Sequence, residues 1–347
     1  MEDLKPLLDS YTAGPIIIAG PCSAESRRQV MQTAAALAAG GVRIFRAGVW
    51  KPRTKPGGFE GAGEQALGWL AEVRRTTGMY IATEVATGRH AELALKAGID
   101  ILWLGARTSS SPFAVQEIAD ALSGSDAAVL VKNPVSPDLE LWSGALERIY
   151  NRGIRRLAAV HRGFSLYETG IYRNDPHWSV PVMLRRRYPS LPVLCDPSHI
   201  GGRREAVAQL SQQALDLGFD GLIIESHISP GEALSDAAQQ LTPDELLRLT
   251  STLKVRGESR DDMPITEMRA EIDSLDDELL ALLSRRMEVS GRIGEYKRRH
   301  GIKILQPERY DELLSSRSAH GLKLGLDVKF VREILRIIHE ESIRRQM

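Results

Sequence analysis

Between about residues 15 and 255 the chain alternates short apolar runs with longer amphipathic stretches, and it does so eight times. The strand-like runs are 16–20, 43–49, 79–85, 101–106, 128–133, 157–163, 192–196 and 221–226. Between them lie stretches such as 139–150 and 203–217, whose apolar residues recur every three or four positions, the spacing of one helical face. Gly40, Gly41, Gly78, Gly98, Gly153 and Gly218 mark helix stops. Eight strand–helix units over about 250 residues have the size and rhythm of an α/β fold of the (β/α)8, or TIM, barrel type. A doubly wound open sheet fits worse, because no Gly-x-Gly-x-x-Gly turn follows the first strand.

In such a barrel the active site sits at the C-terminal ends of the strands. Four ligand-type residues fall there: Cys22 in Gly-Pro-Cys-Ser, His199 in Asp-Pro-Ser-His, Glu225 in Ile-Ile-Glu-Ser-His, and Asp236 in Leu-Ser-Asp. Singly each has a plain reading, as a small buried hydrophobe or a solvated charge. One thiolate, one imidazole and two carboxylates at the strand ends of one repeating pattern instead suit a divalent transition ion. The same ends carry six cations, Arg46, Lys51, Arg53, Arg107, Lys132 and Arg162. Guanidinium forks match phosphate and carboxylate geometry, and a lysine can also transfer a proton. A rim of this kind beside a metal set describes a pocket for a highly anionic substrate.

Composition narrows the class. Lys plus Arg and Asp plus Glu are both 45, and residues 260–347 alone carry 17 of each sign, so neither part is a basic nucleic-acid or membrane module. Two cysteines, no apolar run near 18 residues and no N-terminal signal pattern point to a soluble, cytoplasmic protein. At 347 residues two domains are expected. The β/α rhythm runs through residue 254, a polar stretch at 255–263 reads as a linker, and 264–347 reads as all helix. The first strand begins near residue 15, which leaves no room for a regulatory module ahead of it.

The segments Gly-Pro-Cys-Ser, Lys-Pro-Arg-Thr, Gly-Ala-Arg, His-Arg-Gly, Asp-Pro-Ser-His-x-Gly-Gly-Arg-Arg and Glu-x-His…Leu-Ser-Asp occur in this order. Over about residues 12–254 the chain thereby resembles the short type I beta class of 3-deoxy-D-arabino-heptulosonate 7-phosphate (DAHP) synthases. That family condenses phosphoenolpyruvate with erythrose 4-phosphate, releases phosphate and opens the shikimate pathway. The resemblance implies Cys22, His199, Glu225 and Asp236 as ligands of Mn2+, Fe2+ or Zn2+. It implies Arg46, Lys51, Arg107, Lys132 and Arg162 as phosphoenolpyruvate contacts, and Pro52, Arg53, Thr54 and Asp196 along the phosphosugar. Lys51 is then the candidate acid for the nascent alkoxide, and Glu84 a candidate holder of the attacking water. The nearest rival is the barrel synthase that makes the eight-carbon 3-deoxy-octulosonate; the Lys-Pro-Arg-Thr segment favours the four-carbon aldehyde.

From Ile265 the apolar residues step by threes and fours through Met268, Ile272, Leu275, Leu279 and Leu282 to Val289, Ile293 and Tyr296, a heptad seam on one long helix. Arg286 occupies a seam position, where a cation is costly unless something anionic neutralises it. Two shorter helices, about 308–318 and 327–345, are expected to follow. By the spacing of Arg269, Arg286, Lys297 and Arg309, the tail resembles the all-helical chorismate mutases. That family converts chorismate to prephenate without a cofactor, as a dimer. The resemblance implies Arg269, Arg286, Lys297, Arg309, Ser342 and Gln346 as chorismate contacts, with Lys297 and Gln346 on the ether oxygen. One position departs from the family pattern: Tyr310 stands where a carboxylate usually holds the chorismate hydroxyl. This keeps open a second reading, in which the tail binds prephenate and regulates the barrel. On either reading prephenate is the expected feedback inhibitor.

Overall fold

The eight expected strands form, several of them shorter than the apolar runs that mark them. They are β1 (Ile16–Gly20), β2 (Ile44–Arg46), β3 (Tyr80–Val85), β4 (Ile101–Leu104), β5 (Ala128–Lys132), β6 (Leu157–His161), β7 (Val193–Cys195) and β8 (Gly221–Glu225). The run at 43–49 outlasts β2 because Ala47 and Val49, beyond the strand end, are also buried in the core. All neighbours are parallel and β8 returns to β1, which closes the barrel. The computed structural model of the chain describes residues 1–9, 14–51, 57–165, 171–257 and 263–347.

Strand side chains alternate between two apolar compartments. Ile18, Ile44, Ala82, Ile101, Trp103, Leu130, Val160, Leu194 and Ile223 fill the barrel interior. Phe45, Ile81, Leu102, Val129, Ala159, Val193, Leu222 and Ile224 face the surrounding helices. Several of those helices start on side-chain caps: Ser26, Thr87, Ser111 and Asp138 each accept from a backbone N–H three residues on. Thr242 and Glu245 form a reciprocal capping box on Pro243–Thr252. Gly20 ends β1 at φ +148°, and a Cβ there would lie 2.0 Å from the Arg46 carbonyl oxygen, so β1 and β2 approach only because the side chain is missing.

The chain divides into two compact units, Met1–Gly257 and Glu258–Met347. The second holds three helices, Met263–Arg299 (37 residues), Pro307–Lys323 and Val328–Gln346. The middle one extends five residues beyond the expected 318 and ends just before Gly325. The last helix packs on the other two. It crosses the long helix at Gly294, where a Cβ would lie 2.5 Å from the Gln346 Cα. No described helix is long and apolar enough to cross a membrane.

Candidate active sites

The period of two along each strand decides what the barrel mouth contains. Counting on from the interior residues Ile44, Ala82, Leu130, Val160, Leu194 and Ile223, the next inward positions are Arg46, Glu84, Lys132, Arg162, Asp196 and Glu225. Apolar filling therefore gives way to one charged layer. Trp103 forms its floor, with the Arg46 Cζ 4.8 Å and the Lys132 Nζ 5.8 Å from the ring centre.

Ligand atoms of Cys22, Glu225 and Asp236 lie within 4.8 Å of one another, and Cys22 and Glu225 are fully buried. The Cys22 Sγ is 3.3 Å from the Asp236 Oδ2. His199 sits at the edge of this group, its Nε2 3.7 Å from the Glu225 Oε1. Its Nδ1 is 2.8 Å from the Asp196 Oδ2, which turns the other nitrogen towards the cluster. Burial, reinforced by Glu225, pushes the Cys22 thiol up to about 12, so the thiolate needs a cation to exist at neutral pH. Burial would raise the Asp236 carboxyl too, but His199 and Arg173 hold it well below its ordinary value. Glu225 is likewise kept low against its burial by His199 and Arg46. A soft sulfur, an imidazole and two ionised carboxylates fit a divalent transition ion.

Beside the cluster lies a cavity of about 410 Å3 whose walls include Lys51, Glu84, Arg107, Lys132, Arg162, Arg173, His199 and Asp236. Burial opposes the charge on Lys51, yet Cys22, Glu84 and Glu225 together hold its ammonium above the ordinary lysine value. Its Nζ is 3.7 Å from the Glu84 Oε2. Burial brings the Arg162 guanidinium down to about 10, with Arg173 and Arg107 adding to the effect and Asp196 opposing it. Arg46 is fully buried below the cavity, and its Nη2 donates to the Glu225 Oε1 at 3.1 Å. Its Nε and Nη1 find no acceptor among the described residues. Buried guanidinium donors without acceptors are costly unless an anion comes to them. Asp196 is also fully buried: it accepts from the Lys132 Nζ at 2.7 Å and from the His199 backbone N–H at 3.0 Å. Pro52, Arg53 and Thr54 lie outside the described residues.

In the tail, the Arg286 Nη1 donates to the Ser342 Oγ at 2.5 Å, and the Lys297 Nζ donates to the Gln346 Oε1 at 3.1 Å and to the Ile304 carbonyl oxygen at 2.7 Å. Burial lowers the Arg286 guanidinium, and among the described residues no carboxylate pairs with it. Arg309 instead bonds Glu312 on the surface, and Arg269 stands on an exposed stretch of the long helix. The Tyr310 ring stacks on His339, centroids 4.1 Å apart.

Comparison with known proteins gives this arrangement a family. Residues 12–260 match the model of the DAHP synthetase I family. The chain belongs to that family. Residues 268–347 match the chorismate mutase type II model, so a DAHP synthase barrel and a chorismate mutase tail share one polypeptide, which is a bifunctional enzyme of the shikimate pathway. The chain is 35% identical to a phospho-2-dehydro-3-deoxyheptonate aldolase of Thermotoga maritima over 238 residues, 69% of this chain and 68% of that one. It is 28% identical to a 2-dehydro-3-deoxyphosphooctonate aldolase of Rhodopseudomonas palustris over 258 residues, 68% of this chain and 86% of that one. A crystal structure of the Thermotoga maritima DAHP synthase superposes with a TM-score of 0.61 at 33% identity, covering 75% of this chain and 69% of that one.

Sequence reasoning overlooks several residues of the DAHP synthase site. The Arg173 Nη1 donates to the Asp236 Oδ1 and to the Gln239 Oε1, both at 2.9 Å, and the Gln239 Nε2 donates to the Glu225 Oε2 at 2.7 Å. Asn174 accepts from the Arg162 Nη1 at 2.9 Å and donates to the His199 carbonyl oxygen at 2.6 Å. Arg173 and Asn174 sit in a loop and Gln239 in a single 3-10 turn, where no periodicity marks them.

Proposed function

We propose that the barrel condenses phosphoenolpyruvate, erythrose 4-phosphate and water to DAHP and inorganic phosphate with the aid of a divalent ion, and that the tail rearranges chorismate to prephenate as a dimer. The first half rests on one observation above all: divalent-ion donors and the cations Lys51, Arg107, Lys132 and Arg162 meet around one cavity of about 410 Å3. Cys22, His199, Glu225 and Asp236 would hold the ion, which would supply Lewis-acid polarisation of the aldehyde. Arg46, Arg107, Lys132 and Arg162 fix the carboxylate and phosphate of phosphoenolpyruvate, so that its carbon 3 faces the aldehyde carbon. As that bond forms, Lys51 gives its proton to the aldehyde oxygen; its raised pKa suits an acid that is charged before the reaction. Glu84, 3.7 Å from Lys51, orients the water that adds to carbon 2 and takes up its proton. Phosphate then leaves carbon 2 with the bridging oxygen, taking up the proton of the new hydroxyl, which becomes the keto group. Asp196 serves this site by holding Lys132 and His199 in place, with the phosphosugar aldehyde above it. The test is phosphate release from the two substrates by the purified chain, measured with and without chelator; release that survives complete chelation refutes the reading.

The dimeric tail rests on the exposed seam. Met268, Ile272, Leu275, Leu279, Leu282, Val289, Ile293 and Tyr296 are each 44–59% exposed, far more than isolated surface residues account for. A second copy laid along them removes that surface from water. Arg286, with Ser342, then holds a chorismate carboxylate, while Lys297 and Gln346 donate to the ether oxygen where charge grows. No cofactor is needed for a pericyclic shift. A light-scattering mass for a single chain at micromolar concentration would refute the dimer.

A further inference from the structure

We propose that Arg173 and Asn174 form the positioning element of the divalent-ion centre, and that Arg173 sets the affinity for the ion. This rests on the metal-dependent reading of the barrel. The observation behind it is that two consecutive side chains reach three of the four donors from outside. One nitrogen of Arg173 holds the Asp236 Oδ1 directly and orients Glu225 through Gln239. In each case one carboxylate oxygen is engaged by this hold and the other is not. The second oxygen of Asp236 is 3.3 Å from the Cys22 Sγ, and the second oxygen of Glu225, which accepts from the Arg46 Nη2, is 3.7 Å from the His199 Nε2. Asn174 holds the third donor by its backbone, through the His199 carbonyl, while its other amide atom accepts from Arg162. The dipeptide therefore also links the ion centre to a cation of the anion pocket.

Asp236 needs such a hold. Its backbone lies in the left-handed region, φ 47° and ψ 39°, which costs a side-chain-bearing residue about 1–2 kcal/mol. A carboxylate on a strained loop keeps one orientation only if something fixes it. Arg173 is itself firmly placed. Phe164 and Asp175 exchange two backbone hydrogen bonds of 2.8 and 2.9 Å at the base of its segment, and Asn174 N–H donates to the Ile200 carbonyl oxygen at 3.1 Å. A guanidinium beside a metal ligand weakens the ion by charge repulsion. Bonded to one oxygen of Asp236 and not to the one beside Cys22, it contributes orientation in return, and partners of this kind are worth about 10–100-fold in metal affinity.

The experiment uses the full chain stripped of metal, with Co2+ as probe. Affinity is read by competition with a chromophoric chelator, and Cys22 ligation by the thiolate-to-cobalt charge-transfer band. Arg173→Met is expected to weaken Co2+ binding about 10–100-fold and to shift or diminish that band, with an unchanged melting temperature in chelator. Gln239→Leu, which cuts only the relay to Glu225, is expected to weaken binding by a smaller factor; it also carries the test if Arg173→Met does not fold. Wild-type affinity and an unaltered band in either folded variant overturn the proposal. An unchanged affinity with a raised KM for the phosphosugar also overturns it, and makes Arg173 a substrate contact. If the wild-type chain gives no thiolate band and no tight Co2+ binding, the metal-dependent reading itself fails.

Discussion

Two weakened mutase variants, Arg269→Ala and Arg286→Ala, are expected to restore activity to each other when mixed. Both residues lie on the continuous helix Met263–Arg299, and the 17 positions between them span about 25 Å at 1.5 Å per residue. A single chorismate cannot bridge that distance along one helix. Within one chain Arg286 is gathered with Ser342, and Lys297 with Gln346, while Arg269 stands exposed beside the seam residue Met268. An antiparallel partner whose contact is centred on Leu279 aligns residue 269 of one chain with residue 289 of the other, between Arg286 and Lys297. Each site then takes Arg269 from the partner and the remaining residues from its own chain. Losing one charged contact to a carboxylate costs about 1.5–3 kcal/mol, so each variant alone should fall roughly 10–150-fold. Random reassortment makes half of the dimers mixed, and each mixed dimer holds one intact site and one doubly broken site. About a quarter of all sites should therefore recover, read as chorismate consumption after subunit exchange. No recovery, with exchange verified by native mass spectrometry, refutes the shared site and the antiparallel seam together.

Chelation is expected to abolish condensation and leave the mutase reaction intact, with Mn2+, Fe2+ or Zn2+ restoring the first; a metal-free chain with full condensation activity excludes the ion centre. Arg46→Met strands the fully buried Glu225, so unfolding by urea in chelator should show a loss of about 3–5 kcal/mol, and a loss below about 1 kcal/mol argues against the buried pair. Tyr310→Phe is expected to raise the chorismate KM with little change in kcat, and His339→Ala, which removes the ring stacked on that phenol, to do the same without adding to it. Prephenate is expected to inhibit condensation through the tail with a coupling of about 1–3 kcal/mol, and Arg286→Ala to relieve it; inhibition unchanged in that variant removes the tail as the sensor.

The sequence by itself determined the fold class, because short apolar runs alternating eight times with stretches of period near 3.6 leave few architectures open. It also put Cys22, His199, Glu225, Asp236 and most of the cations at the barrel mouth, since a barrel puts chemistry at strand ends and these residues follow apolar runs. The seam of the long helix was equally legible, because a heptad is a local pattern. Which strand-end residues share one layer was decided only by closure of the barrel, since a shift of one residue turns a side chain to the opposite face. His161 and Arg162 adjoin in one motif, yet Arg162 enters the cavity while His161 points out among Trp142, Phe164 and Trp178, where burial lowers its imidazole to about 3. Asp196 reads as a substrate residue along the chain, and in space it is fully buried on Lys132 and His199. Arg173 reaches Asp236 across 63 residues of sequence. A loop side chain carries no periodicity, and its partner is fixed only when the closed sheet brings two loops over the same mouth.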